Sequence, residues 1–284
     1  MSARMLVTGF QPFGGATMNP AWEAVRRLPD TIGGAEVVKV EIPVVFGRAS
    51  AAVDAAIEAN RPDIVLCVGQ AGGRCKITPE FVGINYIDAR IPDNEGNQPL
   101  AKRVVEDGPD AYFSTLPVRA MAQAMNDAGV PAAVSFTAGT YVCNDVMYAL
   151  LHSLATRFPG TRGAFLHVPY ATEQATQLPA DTPSMPIETM AKGLEVALAA
   201  ALEHMEDVAL SVGTTLRVGC LVPPHRKTHF GCVSSGKAHS APLDTARMCL
   251  SVRAPAQNAS FRRVRFSSPG QTSSRLTQKR ILRR

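Results

Sequence analysis

The chain has 284 residues, 46% hydrophobic and 19% charged, an ordinary globular mix with enough apolar material for one sizeable core. No apolar run reaches the ~18–20 residues of a membrane-spanning helix, and the opening MSARMLVTGF is not followed by a secretory cleavage signal. The formal net charge of +5 is unevenly placed: residues 1–207 carry 15 Lys/Arg and 23 Asp/Glu (net −8), whereas residues 208–284 carry 14 and 1 (net +13).

Residues 5–10 (MLVTGF) read as a short strand ended by a Gln-Pro and Gly-Gly turn. Asn19 and Pro20 suit the cap and first turn of a helix through Trp22, Val25 and Leu28. Residues 37–45 form a second strand and 47–60 a second helix. Residues 63–69 (DIVLCVG) are almost wholly apolar, as in a parallel strand covered on both faces. Residues 81–88 alternate like a strand or hairpin arm, and 89–112 form an excursion rich in turn signals. A helix at 116–127, a strand at 132–137, a helix at 143–158, a strand at 163–168 and a last helix at 186–205 complete the body. Strands separated by helical stretches predict an α/β domain: a mostly parallel, twisted sheet with helices on both faces. Its sites belong at the carboxyl ends of the strands.

Several chemistries lack their motifs. TGFQPFGG has no lysine and no following Ser/Thr, so it is not a phosphate loop, and GQAGGR is not a dinucleotide fingerprint. The body contains no serine-hydrolase elbow and no metal-binding spacing. Six cysteines are too sparse for a disulfide scaffold and suit a reducing, cytoplasmic setting.

Three residues carry the chemistry that remains. Cys143 opens the helix after the 132–137 strand, where free N–H groups should lower a thiol pKa and stabilise an oxyanion. His167 closes the 163–168 strand, and Glu80 follows the turn after the 63–69 strand. A thiol, an imidazole and an orienting carboxylate form a cysteine-hydrolase set. Cys67 reads as a buried small hydrophobe, Cys75 as an exposed loop thiol and His152 as an ordinary helical histidine. Separations of 63 and 24 residues do not by themselves show that Glu80, Cys143 and His167 meet.

The segments LVTGFQPFGG, PDIVLCVGQAGG with ITPE, INYIDARIPDNEG, TAGTYVCNDVMYALLH and FLHVPYATEQ, in this order across residues 4–205, resemble the pyroglutamyl-peptidase I (pyrrolidone-carboxylate peptidase) family of cysteine peptidases. The resemblance implies a cytoplasmic enzyme that releases 5-oxoproline from N-terminally pyroglutamylated peptides, without metal or coenzyme, as a homo-oligomer (dimer or tetramer). It places the family's catalytic residues on Glu80, Cys143 and His167. It assigns Phe10 and Phe13 to sandwiching the lactam ring, and Arg90 to electrostatic support of the oxyanion or thiolate. Gln70 would supply a polar contact, with Ile91, Tyr141 and Val142 completing the wall. Tyr141 stands where the family commonly has Phe, Phe136 where it has Asn, and Val44 where it has Thr. The last exchange would remove a polar contact.

Residues 208–284 contain 11 Arg, 10 Ser and a single acid, a composition that predicts a basic extension of little order, distinct from a catalytic domain at 1–207. Cys220, His225, His229, Cys232 and His239 match no standard zinc spacing. The charge would bind nucleic acid only non-specifically. The rival functions are another small amide hydrolase or a nucleoside-phosphorylase-like enzyme on the same scaffold, or a non-enzymatic nucleic-acid binder using the extension.

Overall fold

The computed structural model describes residues 3–204; the basic extension and its Cys/His set lie outside the described residues. The elements run β1 (Arg4–Phe10), α1 (Pro20–Val25), β2 (Thr31–Ile32), β3 (Ala35–Ile42), α2 (Arg48–Asn60), β4 (Ile64–Gln70), β5 (Thr78–Glu80), β6 (Val82–Ile84), β7 (Ala111–Phe113), α3 (Val118–Asp127), α4 (Val142–Thr156), β8 (Arg162–Val168), β9 (Tyr170–Ala171), α5 (Thr172–Ala175), β10 (Ser184–Met185) and α6 (Ile187–Glu203). The main sheet has the order β2-β3-β1-β4-β8-β5. Its four central strands are parallel, and the two edges, β2 and β5, are antiparallel, so the sheet is mixed.

The side-chain period of a strand divides the core into two layers. Met5, Val7, Ile64, Leu66, Val68, Leu166 and Val168 point to one face, where they meet Val25 of α1, Met121 and Met125 of α3, and Leu194 and Leu198 of α6. Leu6, Val65, Cys67 and Phe165 point to the other, where they meet Val53 and Ile57 of α2 and Val146 and Leu150 of α4. Each such aliphatic side chain contributes ~1.5–3 kcal/mol on burial. In α3 the buried residues Val118, Met121, Ala122 and Met125 follow the i, i+3, i+4, i+7 stripe of a one-sided helix.

Several elements differ from the sequence expectation, each for a local reason. Asn19 caps α1 as expected, its Oδ1 accepting from Ala21 N at 3.0 Å. The helix nevertheless ends at Val25, because Arg27 and Leu28 donate to carbonyls only three residues back and tighten the chain into turns. Residues 132–137 are not a regular strand. They pair parallel to residues 77–80 through isolated bridges at Ala132 and Ser135. Their partner β5 reads as loop in the sequence, yet it is buried and lies antiparallel against β8. The excursion runs from the end of β6 to β7, which pair as the arms of a long hairpin. The Asn85 side chain organises it, accepting from Val104 and Val105 N–H and donating to the Val105 and Gly108 carbonyls.

Candidate active site

Strand register brings the three candidates together. His167 lies opposite Gly69 on β4 and opposite Thr78 on β5. Glu80, two residues beyond Thr78, therefore projects to the same face as His167 and Phe165, the face that α4 covers. Cys143 is the second residue of α4. Gly69 makes room for it: a Cβ there would stand 2.9 Å from Cys143 Sγ.

His167 Nδ1 and Glu80 Oε1 are 2.8 Å apart, and Glu80 is fully buried. Burial pushes the Glu80 carboxyl up, but the hydrogen bonds from His167 and Arg74 outweigh it and hold the group below the ordinary carboxylate range. A carboxylate only accepts, so Nδ1 carries the proton and Nε2 is the free base. Burial lowers the His167 pKa more than Glu80 raises it, so the ring is neutral. The expected fall in the Cys143 pKa does not occur. Burial pushes the thiol up to about 12, the Glu80 charge adds to this, and Arg74 only partly opposes it. The resting pair is thus thiol and neutral imidazole. The start of α4 still offers free backbone N–H groups, because Tyr141 at its cap makes no side-chain capping bond.

Cys143 and His167 line one cavity of about 360 Å³, together with Phe13, Gln70, Arg74, Arg90, Ile91 and Tyr141 among others. A narrow slot of about 40 Å³ adjoins Cys143, walled by Phe10, Phe13, Asn19, Val44, Gln70, Tyr141 and Val142. Arg90 is exposed at the rim and makes no hydrogen bond or ion pair among the described residues. Asn19, legible in the sequence only as a helix cap, is a slot residue as well. Val44 gives the slot an apolar side, while its carbonyl accepts from Asn94 N at 3.0 Å.

Supporting bonds orient both parts. Ala171 N–H donates to Gln174 Oε1 at 2.9 Å, so the Gln174 amide must present Nε2 to Gln70 Oε1, 3.1 Å away. Among the described residues no acceptor meets Gln70 Nε2, which remains a donor at the slot. The Tyr141 hydroxyl donates to the Pro92 carbonyl at 2.9 Å and ties the slot wall to the loop that carries Arg90 and Ile91. Asp93 accepts from Phe46, Glu95 and Asn97 N–H groups and braces the same loop. Arg74 is a site residue that sequence reasoning missed. It contacts Glu80 Oε1 and Thr78 Oγ1, each at 2.5 Å, and the Thr137 carbonyl at 3.0 Å. The only hint in the sequence is indirect: a buried carboxylate needs a cation.

Comparison with known proteins identifies the family. The pyroglutamyl peptidase family profile matches residues 3–204. A pyrrolidone-carboxylate peptidase of Clostridium botulinum is 50% identical over 74% of this chain and 98% of its own length, and one of Enterococcus faecalis is 51% identical over 75% and 99%. Among solved structures, pyroglutamyl peptidase I of Bacillus amyloliquefaciens superposes with a TM-score of 0.70 at 45% identity, covering 72% of this chain and 97% of that one. A mutant pyrrolidone carboxyl peptidase of Pyrococcus furiosus does so with a TM-score of 0.68 at 41% identity, covering 71% and 99%. With the profile spanning most of its length and relatives matched nearly end to end, the chain belongs to the pyroglutamyl peptidase family.

Proposed function

We propose that this family member hydrolyses the bond after an N-terminal pyroglutamyl residue, with Cys143 as nucleophile, His167 as proton carrier and Glu80 as the group that orients it. The observation that carries the reading is the buried Glu80–His167 contact at 2.8 Å beside a cavity that also holds Cys143. As Sγ attacks the carbonyl carbon joining the lactam to the next residue, its proton passes to His167 Nε2. The imidazolium that forms is stabilised by the Glu80 carboxylate. Backbone N–H groups at the start of α4 receive the oxyanion. His167 then protonates the leaving amine, the peptide product departs, and a thioester remains on Cys143. The same imidazole takes a proton from water, whose attack releases 5-oxoproline and restores the thiol.

The slot suits the head group. A pyroglutamyl ring is small, flat and uncharged, with one N–H and one C=O. Phe10, Phe13, Val44 and Val142 provide the apolar walls, Gln70 Nε2 a donor for the ring carbonyl, and Tyr141 and Ile91 the outer side. Arg90 stands at the rim, where the peptide beyond the lactam would pass.

Other assignments rest on composition and surface. The catalytic unit is residues 1–207 and the basic extension 208–284 is separate from it, as the charge division at that point suggests. Three cysteines among the described residues, Cys67, Cys75 and Cys143, are unpaired, which suits a cytoplasmic enzyme. No helix among the described residues is long and apolar enough to cross a membrane. Homo-oligomer formation is supported by an aromatic patch in which exposed Phe113 and Phe136 both pack on Phe81, at ring separations of 5.1 and 5.5 Å. The deciding assay compares fluorogenic pyroglutamyl and prolyl amides with and without iodoacetamide. Thiol-sensitive release from the pyroglutamyl amide alone is expected, and equal turnover of both would defeat the reading.

A further inference from the structure

We propose that Arg74 is a positioning residue of this reaction: it locks the Glu80 carboxylate in the orientation that holds His167, and ties that pair to the segment leading into the Cys143 helix. The proposal rests on the peptidase reading above. One guanidinium spans three acceptors: Glu80 Oε1 and Thr78 Oγ1 on β5, and the Thr137 carbonyl five residues before α4 begins. Nη1 serves the two β5 acceptors and Nη2 the Thr137 carbonyl, a reach through two nitrogens that the single nitrogen of an ammonium does not have. Glu80 Oε1 is also the atom that faces His167 Nδ1, so Arg74 fixes the oxygen on which the imidazole tautomer depends. Glu80 is fully buried, and with His167 neutral the compensating cation is Arg74. Arg90, the other arginine of the cavity, reaches none of these groups.

The titratable groups around the pair are Glu80 on β5, His167 on β8, Cys143 on α4, Cys67 on β4 and Tyr141 before α4, with Arg90 and Tyr170 at the cavity wall. The Arg74 charge works against protonation of Glu80 and His167 and favours the Cys143 thiolate. Without it, His167 holds its proton to higher pH and the thiol ionises later.

The experiment uses the full chain with Arg74→Met and Arg74→Lys. It measures kcat and KM on a fluorogenic pyroglutamyl amide between about pH 5 and 9, and the rate of Cys143 alkylation by iodoacetamide over the same range. For Arg74→Met, kcat should fall at least ~30-fold with KM within about threefold, the acid limb should move up by roughly half a pH unit or more, and alkylation should slow. Arg74→Lys should restore the limb but not the full kcat. A purely structural role would lower thermal stability or raise KM with both pH profiles in place, and that result overturns the proposal. Should Arg74→Met not fold, Arg74→Lys decides: wild-type kcat there overturns it. Failure of the peptidase reading looks different, because wild type would then release no fluorophore while the alkylation profile still reports on Arg74.

Discussion

Cys143 sits between two regions built on opposite physical terms. On the β5–β8 side the groups are polar, deeply buried and bonded to one another: Glu80 with His167 and Arg74. On the side of β1 and the loop before α2, the walls are rings and branched aliphatics, with polar atoms confined to the edge. The carboxylates show the difference. Glu80 has a cation and an imidazole and is held below its ordinary pKa, whereas Asp145, buried on α4, accepts one backbone N–H from Gly47 at 3.2 Å, and burial pushes it up to about 6. In the proposed mechanism the first region moves protons, and the second recognises shape. Damage to one should appear in kcat, and damage to the other in KM or stability.

The largest break in that division should come from Cys143→Ala, which removes the proposed nucleophile and should cost about 10⁴-fold or more in kcat on a pyroglutamyl amide. Cys67→Ala is the control. Its thiol lies in the core of β4, so turnover should stay within about twofold while stability falls by about 1 kcal/mol, read from denaturant titration. Glu80→Gln comes next. The amide no longer demands an Nδ1 proton, and kcat should fall roughly 10³–10⁴-fold with KM little changed. In wild type the acid limb of kcat/KM should lie below the ordinary histidine value, because burial lowers the His167 pKa. Activity is therefore lost as pH falls through that value, and a limb at or above about 6.5 would contradict the assigned base.

Smaller effects belong to the recognition side. The Asp145 pKa is raised from 3.8 to about 6 on folding, so its neutral form favours the folded state below the lower value. This stabilisation fades as pH rises through the higher one. Asp145→Asn keeps an acceptor for Gly47. It should raise stability by about 2 kcal/mol at pH 8 and change little near pH 4, as measured by melting at both pH values. Tyr141→Phe removes only the bond to the Pro92 carbonyl. It should raise KM about two- to fivefold with kcat held, a loss of ~0.5–1 kcal/mol. An unchanged KM would show that the slot wall does not need this tie.

The central strands were legible because burial on both faces leaves almost no polar residue in stretches such as IVLCVG, and α4 because its apolar run follows a turn. The three candidate site residues are legible from their places after strands and at a helix start, although neither their meeting nor their contacts are. Residues 77–80 looked like loop because a three-residue strand containing Pro79 has no local signature. It exists through pairing with β8, more than eighty residues away. Arg74 carries no local signature for a similar reason: its acceptors at residues 78, 80 and 137 converge only after the sheet forms. The thiol pKa departs from the sequence expectation because a helix N-terminus is visible in sequence and burial is not.

The loop from Ala89 to Asn97 is pinned at many points by the chain itself: Asp93 to three backbone N–H groups, Asn94 to the Val44 and Pro12 carbonyls, and Pro92 to Tyr141. Ordering a free segment costs ~1–2 kcal/mol per residue. A pre-assembled rim spares the complex that entropy loss, so the affinity for so small a head group need not be spent on freezing chain.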